Sequence, residues 1–210
     1  MKITIDHSVI KALLICAAKQ DVRYYLKGVL VDARANGDVV LVTTDGHRML
    51  AYPVATDAIE ALAPGQYIIP REALEAVKPC KAGRHVLPIT IEIVTAPDQP
   101  DPERAGVTIK GKTSITVAGA TSAVTAPIDG IYPDWRRVLP KTVSGEPTQY
   151  QAEYLGDFGR IAELFGTKQP YIHYNGSSAA IVGNLGAALG VLMPMRSDAE
   201  FSALPAWALA

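Results

Sequence analysis

Histidines and carboxylates are the side chains best able to do chemistry in this chain of 210 residues, and the histidines number only four. Asp45 and His47 sit close together in TTDGHR, while His7, His85 and His173 are scattered elsewhere. No nucleophile elbow, Walker-type phosphate loop, HExxH helix or usefully spaced carboxylate pair joins them into a catalytic or metal-binding set. GNLGAALG at 183–190 is glycine-rich but lacks a phosphate-loop lysine, and its place between two apolar strands marks a hairpin turn. Cys16, inside a helical pattern, and Cys80, after Pro79, have neither metal-ligand spacing nor a disulfide framework and read as structural thiols. The chain is therefore expected to bind rather than to catalyse, with no metal and no cofactor of its own.

The composition sets bounds on what it binds. At 49% hydrophobic residues the chain can bury a substantial core without disulfides, and its length allows one or two domains. Twenty basic against twenty-one acidic residues leave a formal charge of −1, which is no footprint of a sequence-specific nucleic-acid binder. Any contact with DNA must come from local clustering of Lys and Arg. No apolar run reaches the roughly 18–20 residues that span a bilayer, and MKITIDHSVIK begins like a strand and a helix rather than a signal peptide. A cytoplasmic location without membrane contact is expected.

The elements that must carry these residues recur in one order. KITID alternates like a strand, and Asp6 to Gln20 has helical spacing with Val9, Leu13 and Ala17 on one stripe, capped by Asp6 or Ser8. GVLVDAR, VVLVTTD and MLAYPV follow as strands divided by turn residues. After Pro64 and Gly65 the order returns: QYII as a strand, Pro70 to Lys78 as a short helix, and ITIEIV, VTIKG and TSITVAG as strands, with 95–106 a proline-rich, charged loop. A third unit opens with QYQAEYL, continues with a helix carrying Phe158, Ile161, Ala162 and Phe165, stops at Gly166, and ends in YIHYN, AAIVG and GVLMPM. The spacing predicts a repeat of about 65 residues, each unit a strand, a helix and three strands.

Four segments in sequence order, RYYLKG at 23–28, TTDGHR at 43–48, YPDWRRVLPK at 132–141 and LMPMR at 192–196, resemble the bacterial DNA polymerase III beta sliding clamp family. The resemblance covers roughly residues 3–141 and, more weakly, 148–196. It implies an α+β DNA-clamp fold built from these repeated units, with helices on one face of antiparallel sheets. A family protomer has three domains of two units each, so this length holds the middle domain and about half of the last. The implied organisation is a two-unit domain over 1–130 (units 1–58 and 65–130), a linker at 131–147, a third unit at 148–196 and a tail at 197–210.

The family's function implies two sites. One is a peptide pocket for polymerases and repair proteins. By matching motifs it comprises Leu26, Thr44, Gly46, His47, Arg48, Met49, Pro133, Arg137, Val138, Val191, Leu192, Met193, Pro194, Met195 and Arg196. An apolar slot of Leu, Met, Val and Pro suits hydrophobic anchors, methionines tolerate varied partners, and flanking Arg and His suit carbonyls or acidic residues. Met49 stands where the family more often has leucine, and Leu155 and Phe158 lie where it usually offers Asn and Tyr. The other site is a DNA-facing surface of Lys11, Lys19 and Arg23 on or after the first helix, Tyr24 and Tyr25 in the next loop, Arg71 and Lys78 on the second helix, and Arg160 and Lys168 on or after the third. Taken singly, such residues are ordinary solvation of a polar helix face; the resemblance makes them a set that attracts duplex phosphates without reading bases.

The third unit has no twin in the chain and is expected to expose an apolar helix face and a sheet edge that another copy covers. Two copies of unit three and two of unit one would then meet about two-fold axes. A family ring contains twelve units, and four chains of three make twelve, so the expected homo-oligomer is a tetrameric ring that acts as a processivity factor in DNA replication. One alternative to the ring is a monomer or dimer whose third unit merely packs on the first domain, and the rival function is a non-encircling adaptor or decoy for clamp-binding motifs. Phe201, Leu204 and Trp207 in the tail are spaced three apart; they are expected to pack against the third unit or, alternatively, to act as apolar anchors for the chain's own or a neighbour's pocket.

Overall fold

The computed structural model describes residues 1–102, 104 and 108–196; the tail anchors Phe201, Leu204 and Trp207 lie outside them. The first unit runs β1 (Lys2–Ile5), α1 (His7–Cys16), β2 (Gly28–Ala33), β3 (Val39–Thr44) and β4 (Arg48–Pro53), followed by the short β5 (Ile59–Glu60). The second runs β6 (Gly65–Pro70), α2 (Arg71–Glu75), a small hairpin β7 (Lys81–Ala82) and β8 (His85–Val86), β9 (Ile89–Thr95), a two-residue pair β10 (Gln99–Pro100) and β11 (Thr108–Ile109), β12 (Thr113–Ala118) and β13 (Ser122–Thr125). The third supplies α3 (Ala152–Leu164), β14 (Tyr171–His173), β15 (Ala180–Leu185) and β16 (Ala188–Leu192).

Period-two alternation in β1, β9 and β12 points Ile3, Ile5, Ile89, Ile91, Ile93, Ile115 and Val117 inward, all buried. α1 buries Val9, Ile10, Ala12, Leu13 and Cys16, which includes Val9 and Leu13 of the expected stripe, while Ala17 is buried just past the helix end; with the sheets α1 forms one core. Both sheets are antiparallel: a five-stranded sheet ordered β13-β12-β9-β1-β5 and a seven-stranded sheet ordered β14-β15-β16-β4-β3-β2-β6. The first strands are exchanged. β1 lies against β9 of the second unit, and β6 lies against β2 of the first. Neither unit can therefore complete its sheet alone.

A second apolar layer covers the outer face of the seven-stranded sheet, where Leu30, Val42, Met49, Ile68 and Val191 meet Tyr132 and Trp135 from the segment crossing the sheet. Every residue of β2 is buried as a result, which explains its apolar run of Val29, Leu30 and Val31 and buries the one charged residue that follows it. Asp32 in that strand anchors the crossing. It accepts from the Trp135 indole Nε1 at 3.1 Å, Arg136 Nη1 at 2.5 Å and Gln66 Nε2 at 3.4 Å, and the Arg136 guanidinium lies 3.9 Å from the Trp135 ring centre. Burial alone would raise the Asp32 carboxyl, but these hydrogen bonds outweigh it and hold the group below the usual carboxylate value.

Several sequence expectations change. α1 ends at Cys16 rather than Gln20, because Ala17 turns extended and its carbonyl, with that of Leu14, accepts from Arg71 Nη1. Asp6 takes the N-cap position without a side-chain bond. The second helix is shorter than 70–78, QYQAEYL forms no strand before α3, and β16 stops at Leu192, short of MPM. VTIKG contributes only Thr108–Ile109 to a minor pair, whereas SAVT, unassigned from sequence, is the true edge strand β13. The expectation that the third unit lacks a partner in the chain is overturned: β16 pairs with β4, Val191 opposite Met49 and Leu192 opposite Arg48, and Phe158, Ile161 and Ala162 of α3 join the main core. With the β4 edge occupied, two copies of unit one cannot meet there.

Candidate partner-binding cleft and basic groove

The TTDGHR segment is the tight β3–β4 turn. Asp45 Oδ1 accepts from the backbone N–H groups of His47 and Arg48 at 2.9 and 3.0 Å, and Thr44 Oγ1 accepts from Gly46 N–H and donates to Arg48 carbonyl. Gly46 has φ +91°, and a Cβ there would lie 2.9 Å from the Arg23 guanidinium. Asp45 is thereby committed to turn geometry. The turn presents His47 outward while its carbonyl accepts from Met193 N–H at 2.8 Å, which ties the end of β16 to the same spot.

Between this turn and the crossing segment opens an apolar cleft of about 160 Å³. Its walls are Leu26, Met49, Tyr132, Pro133, Trp135, Val138, Val191 and Met193, with Arg23, Thr44, Gly46, His47, Arg48 and Asp134 also lining it. Of the expected pocket residues it brings together Leu26, Thr44, Gly46, His47, Arg48, Met49, Pro133, Val138, Val191 and Met193. Leu192 is not among them, because alternation along β16 sends it into the main core while Val191 faces the cleft. Arg137 is paired with Asp134 at the surface, and Pro194, Met195 and Arg196 continue past the lining. Tyr132 and Trp135 were missed as lining residues, although their motif was recognised; two aromatics three residues apart in a connector between units were the available signal.

Arg48 does more than flank the cleft. Its guanidinium is paired with Asp45 and with the buried Asp157 of α3, donates to the Ile15 carbonyl, and stands 4.5 Å from the Tyr154 ring centre. One side chain thus joins α1, the β3–β4 turn and α3. Sequence spacing alone gave no hint of the Arg48–Asp157 pair, whose members lie 109 residues apart.

The expected DNA-facing residues divide. Lys11, Lys19, Arg71 and Arg160 share an open groove between α1 and α3, but Glu153, Asp157 and Glu163 line it too. Arg160 is held by Asp157 at 2.8 Å, and Arg71 is spent on helix-end carbonyls and Glu75. Lys78 and Lys168 are exposed. Arg23 lines the cleft instead, held to Asp21, whose carboxyl these bonds lower to about 2. Tyr24 and Tyr25 pack edge to face with ring centres 5.7 Å apart.

Among the described residues no cluster of His, Cys, Asp or Glu could hold a metal ion, and no helix is long and apolar enough to cross a membrane. Cys16 is buried, which pushes its thiol up to about 12.

Residues 4–134 match the family model of the DNA polymerase III beta subunit, central domain. The beta sliding clamp of Vibrio cholerae is 34% identical over 152 residues, covering 72% of this chain and 36% of that protein, and that of Pseudomonas putida is 33% identical over 125 residues, 59% of this chain and 29% of that protein. The chain thus spans about a third of the length of the curated relatives it matches. Among solved structures, the DNA polymerase III subunit beta from Pseudomonas aeruginosa superposes with a TM-score of 0.63 at 19% identity, over 94% of this chain and 67% of that one. A Helicobacter pylori beta clamp bound to a DNA ligase peptide superposes with a TM-score of 0.62 at 14% identity, over 93% and 65%. The four shared motifs, the antiparallel clamp-like architecture and the family match lead to one conclusion: this chain belongs to the DNA polymerase III beta sliding clamp family.

Proposed function

We propose that the chain is a shortened sliding clamp whose copies assemble into a ring around duplex DNA and tether polymerase or repair proteins through the cleft. The observation that carries this reading is the cleft itself. Ten of the residues expected from the family's motifs line one apolar recess, drawn from the turn before β2, the β3–β4 hairpin, the end of β16 and the crossing segment. A linear motif with hydrophobic anchors fits such a surface: Met49 and Val191 form a deformable floor, and His47 and Arg23 stand at hand for carbonyls or carboxylates. The ligase peptide on the Helicobacter pylori clamp supports the same class of partner.

The ring would hold DNA topologically, so weak phosphate attraction from Lys11, Lys19, Lys78 and Lys168 suffices, without the base contacts that would pin it. The two-unit domain over 1–130, the linker and the third unit are the building blocks of this reading, and a cytoplasmic site of action follows from it. A second reading, a non-encircling adaptor or decoy, draws support from the acidic residues Glu153, Asp157 and Glu163 in the α1–α3 groove.

Two measurements test the proposal. A fluorescent peptide carrying leucine and aromatic anchors should bind the wild type and lose at least about tenfold in affinity with Met193→Asp, which places a charge where an apolar anchor must be desolvated. The protein should also stay on closed circular DNA in moderate salt and leave once the circle is linearised. Peptide binding without retention would replace the ring by the adaptor; unchanged peptide affinity in Met193→Asp would remove the cleft from both readings.

A further inference from the structure

The chain already contains one joint between units, and it follows a simple rule: the last strand of unit one, β4, pairs antiparallel with the last strand of unit three, β16. Beneath that joint α1 packs on β4 and against α3. The last strand of unit two is β13. It pairs with β12 on one side and, among the described residues, with nothing on the other. α2 lies against β13 much as α1 lies against β4.

We infer that β13 is a self-pairing edge, on which the same strand of a second copy adds antiparallel about a two-fold axis and joins two five-stranded sheets into one. The inference rests on the ring reading and names one of the contacts that the ring requires.

Several features favour a second copy as occupant. Exposed edges are normally guarded by charge, proline or a bulge, whereas Ser122–Thr125 reads SAVT, with no charge and no proline. Val124 is 72% exposed and projects from the open face. An antiparallel edge is complementary to itself, so a two-fold axis closes the contact and leaves no repeating free edge. On α2 Glu75 is already paired with Arg71, and the exposed Glu72, with Lys78 just beyond, leaves balanced charge where two copies would approach.

The pleat also restricts the register. Ala123 faces the core and Val124 faces out. A two-fold axis perpendicular to the sheet keeps core faces together only if it passes through a residue pair, because a slip by one residue would turn one copy's core side outward. The axis therefore runs through Val124 and its own copy, or through Ala123 and its own copy, which sets Ser122 opposite the other copy's Val124.

This register is open to test by cross-linking in a Cys80→Ser background. Directly opposed residues have Cα atoms about 4.5–5.5 Å apart, within disulfide range. Either Val124→Cys alone or the pair Ser122→Cys and Val124→Cys should form a covalent dimer under mild oxidation, according to which axis is used. Val124→Lys, which sets two ammonium groups directly opposite in the first register and diagonally on the same face in the second, should halve the molar mass found by light scattering while far-UV circular dichroism and the thermal midpoint stay at wild-type values. A wild-type oligomer whose mass survives Val124→Lys, with no cross-link in either cysteine variant, would overturn the β13 inference and leave the ring to other edges. A wild type that stays monomeric at every concentration would overturn both.

Discussion

Removal of Asp157 should loosen the third unit from the first. The Asp157 side chain is 6% exposed, and its carboxylate is shared by Arg48 and Arg160. The Arg160 side chain is 69% exposed, so its share is small, of the order of 0–1 kcal/mol as for other solvent-screened pairs. The Arg48 side chain is only 10% exposed, and breaking a buried pair from one side costs about 3–5 kcal/mol. Arg48 would keep Asp45 and the Ile15 carbonyl, which places the expected loss for Asp157→Ala at the lower end, about 3 kcal/mol. For a chain of this size that corresponds to a thermal midpoint roughly 6–12 °C lower. Urea titration followed by circular dichroism measures it, with Arg160→Ala as the control expected to change little. The pair Arg48→Met and Asp157→Leu should lose less than the sum of its single changes, since neither charge is then left buried alone. A loss below about 0.5 kcal/mol for Asp157→Ala would refute the assignment of Arg48 as the tie between the units.

Two further outcomes follow from the packing and from the anchored crossing segment. Gly190→Ala places a Cβ 2.5 Å from Phe158 Cε1 and 3.0 Å from Val182 Cβ, so the joint between β16 and α3 should be overpacked by about 1–3 kcal/mol, read as a lower urea midpoint. The Asp32 carboxyl is lower in the folded chain than in the unfolded one, so the unfolded state takes up the proton first as pH falls. Its contribution is complete above the unfolded value of about 3.9 and is lost as pH drops through the folded value. Asp32→Asn should therefore flatten the acid limb of stability below about pH 4, and an acid limb identical to wild type would remove Asp32 as the anchor.

Local pattern made much of this molecule legible. Alternation in KITI and ITIEIV identified strands because one face of each is buried, and the i, i+3, i+4 stripe of α1 and α3 identified helices for the same reason. Most cleft residues were legible too, since TTDGHR forms its own turn through bonds between residues two to four apart, and a turn of that kind carries its geometry wherever it is placed.

Long-range pairing decided the rest. β13 escaped notice because four small residues carry almost no periodic signal until β12 lies beside them. The exchange of β1 and β6 between sheets, and the docking of β16 on β4, depend on which edges remain open once each unit has folded, a property of no single segment. The same holds at the site. LMPMR predicted one continuous pocket wall, yet the pleat that the β4 pairing imposes on β16 sends Leu192 to the core and Val191 to the cleft. Arg48 was expected to face a partner. It does line the cleft, but a carboxylate 109 residues away, brought within reach only by the packing of α3 on α1, also holds its guanidinium.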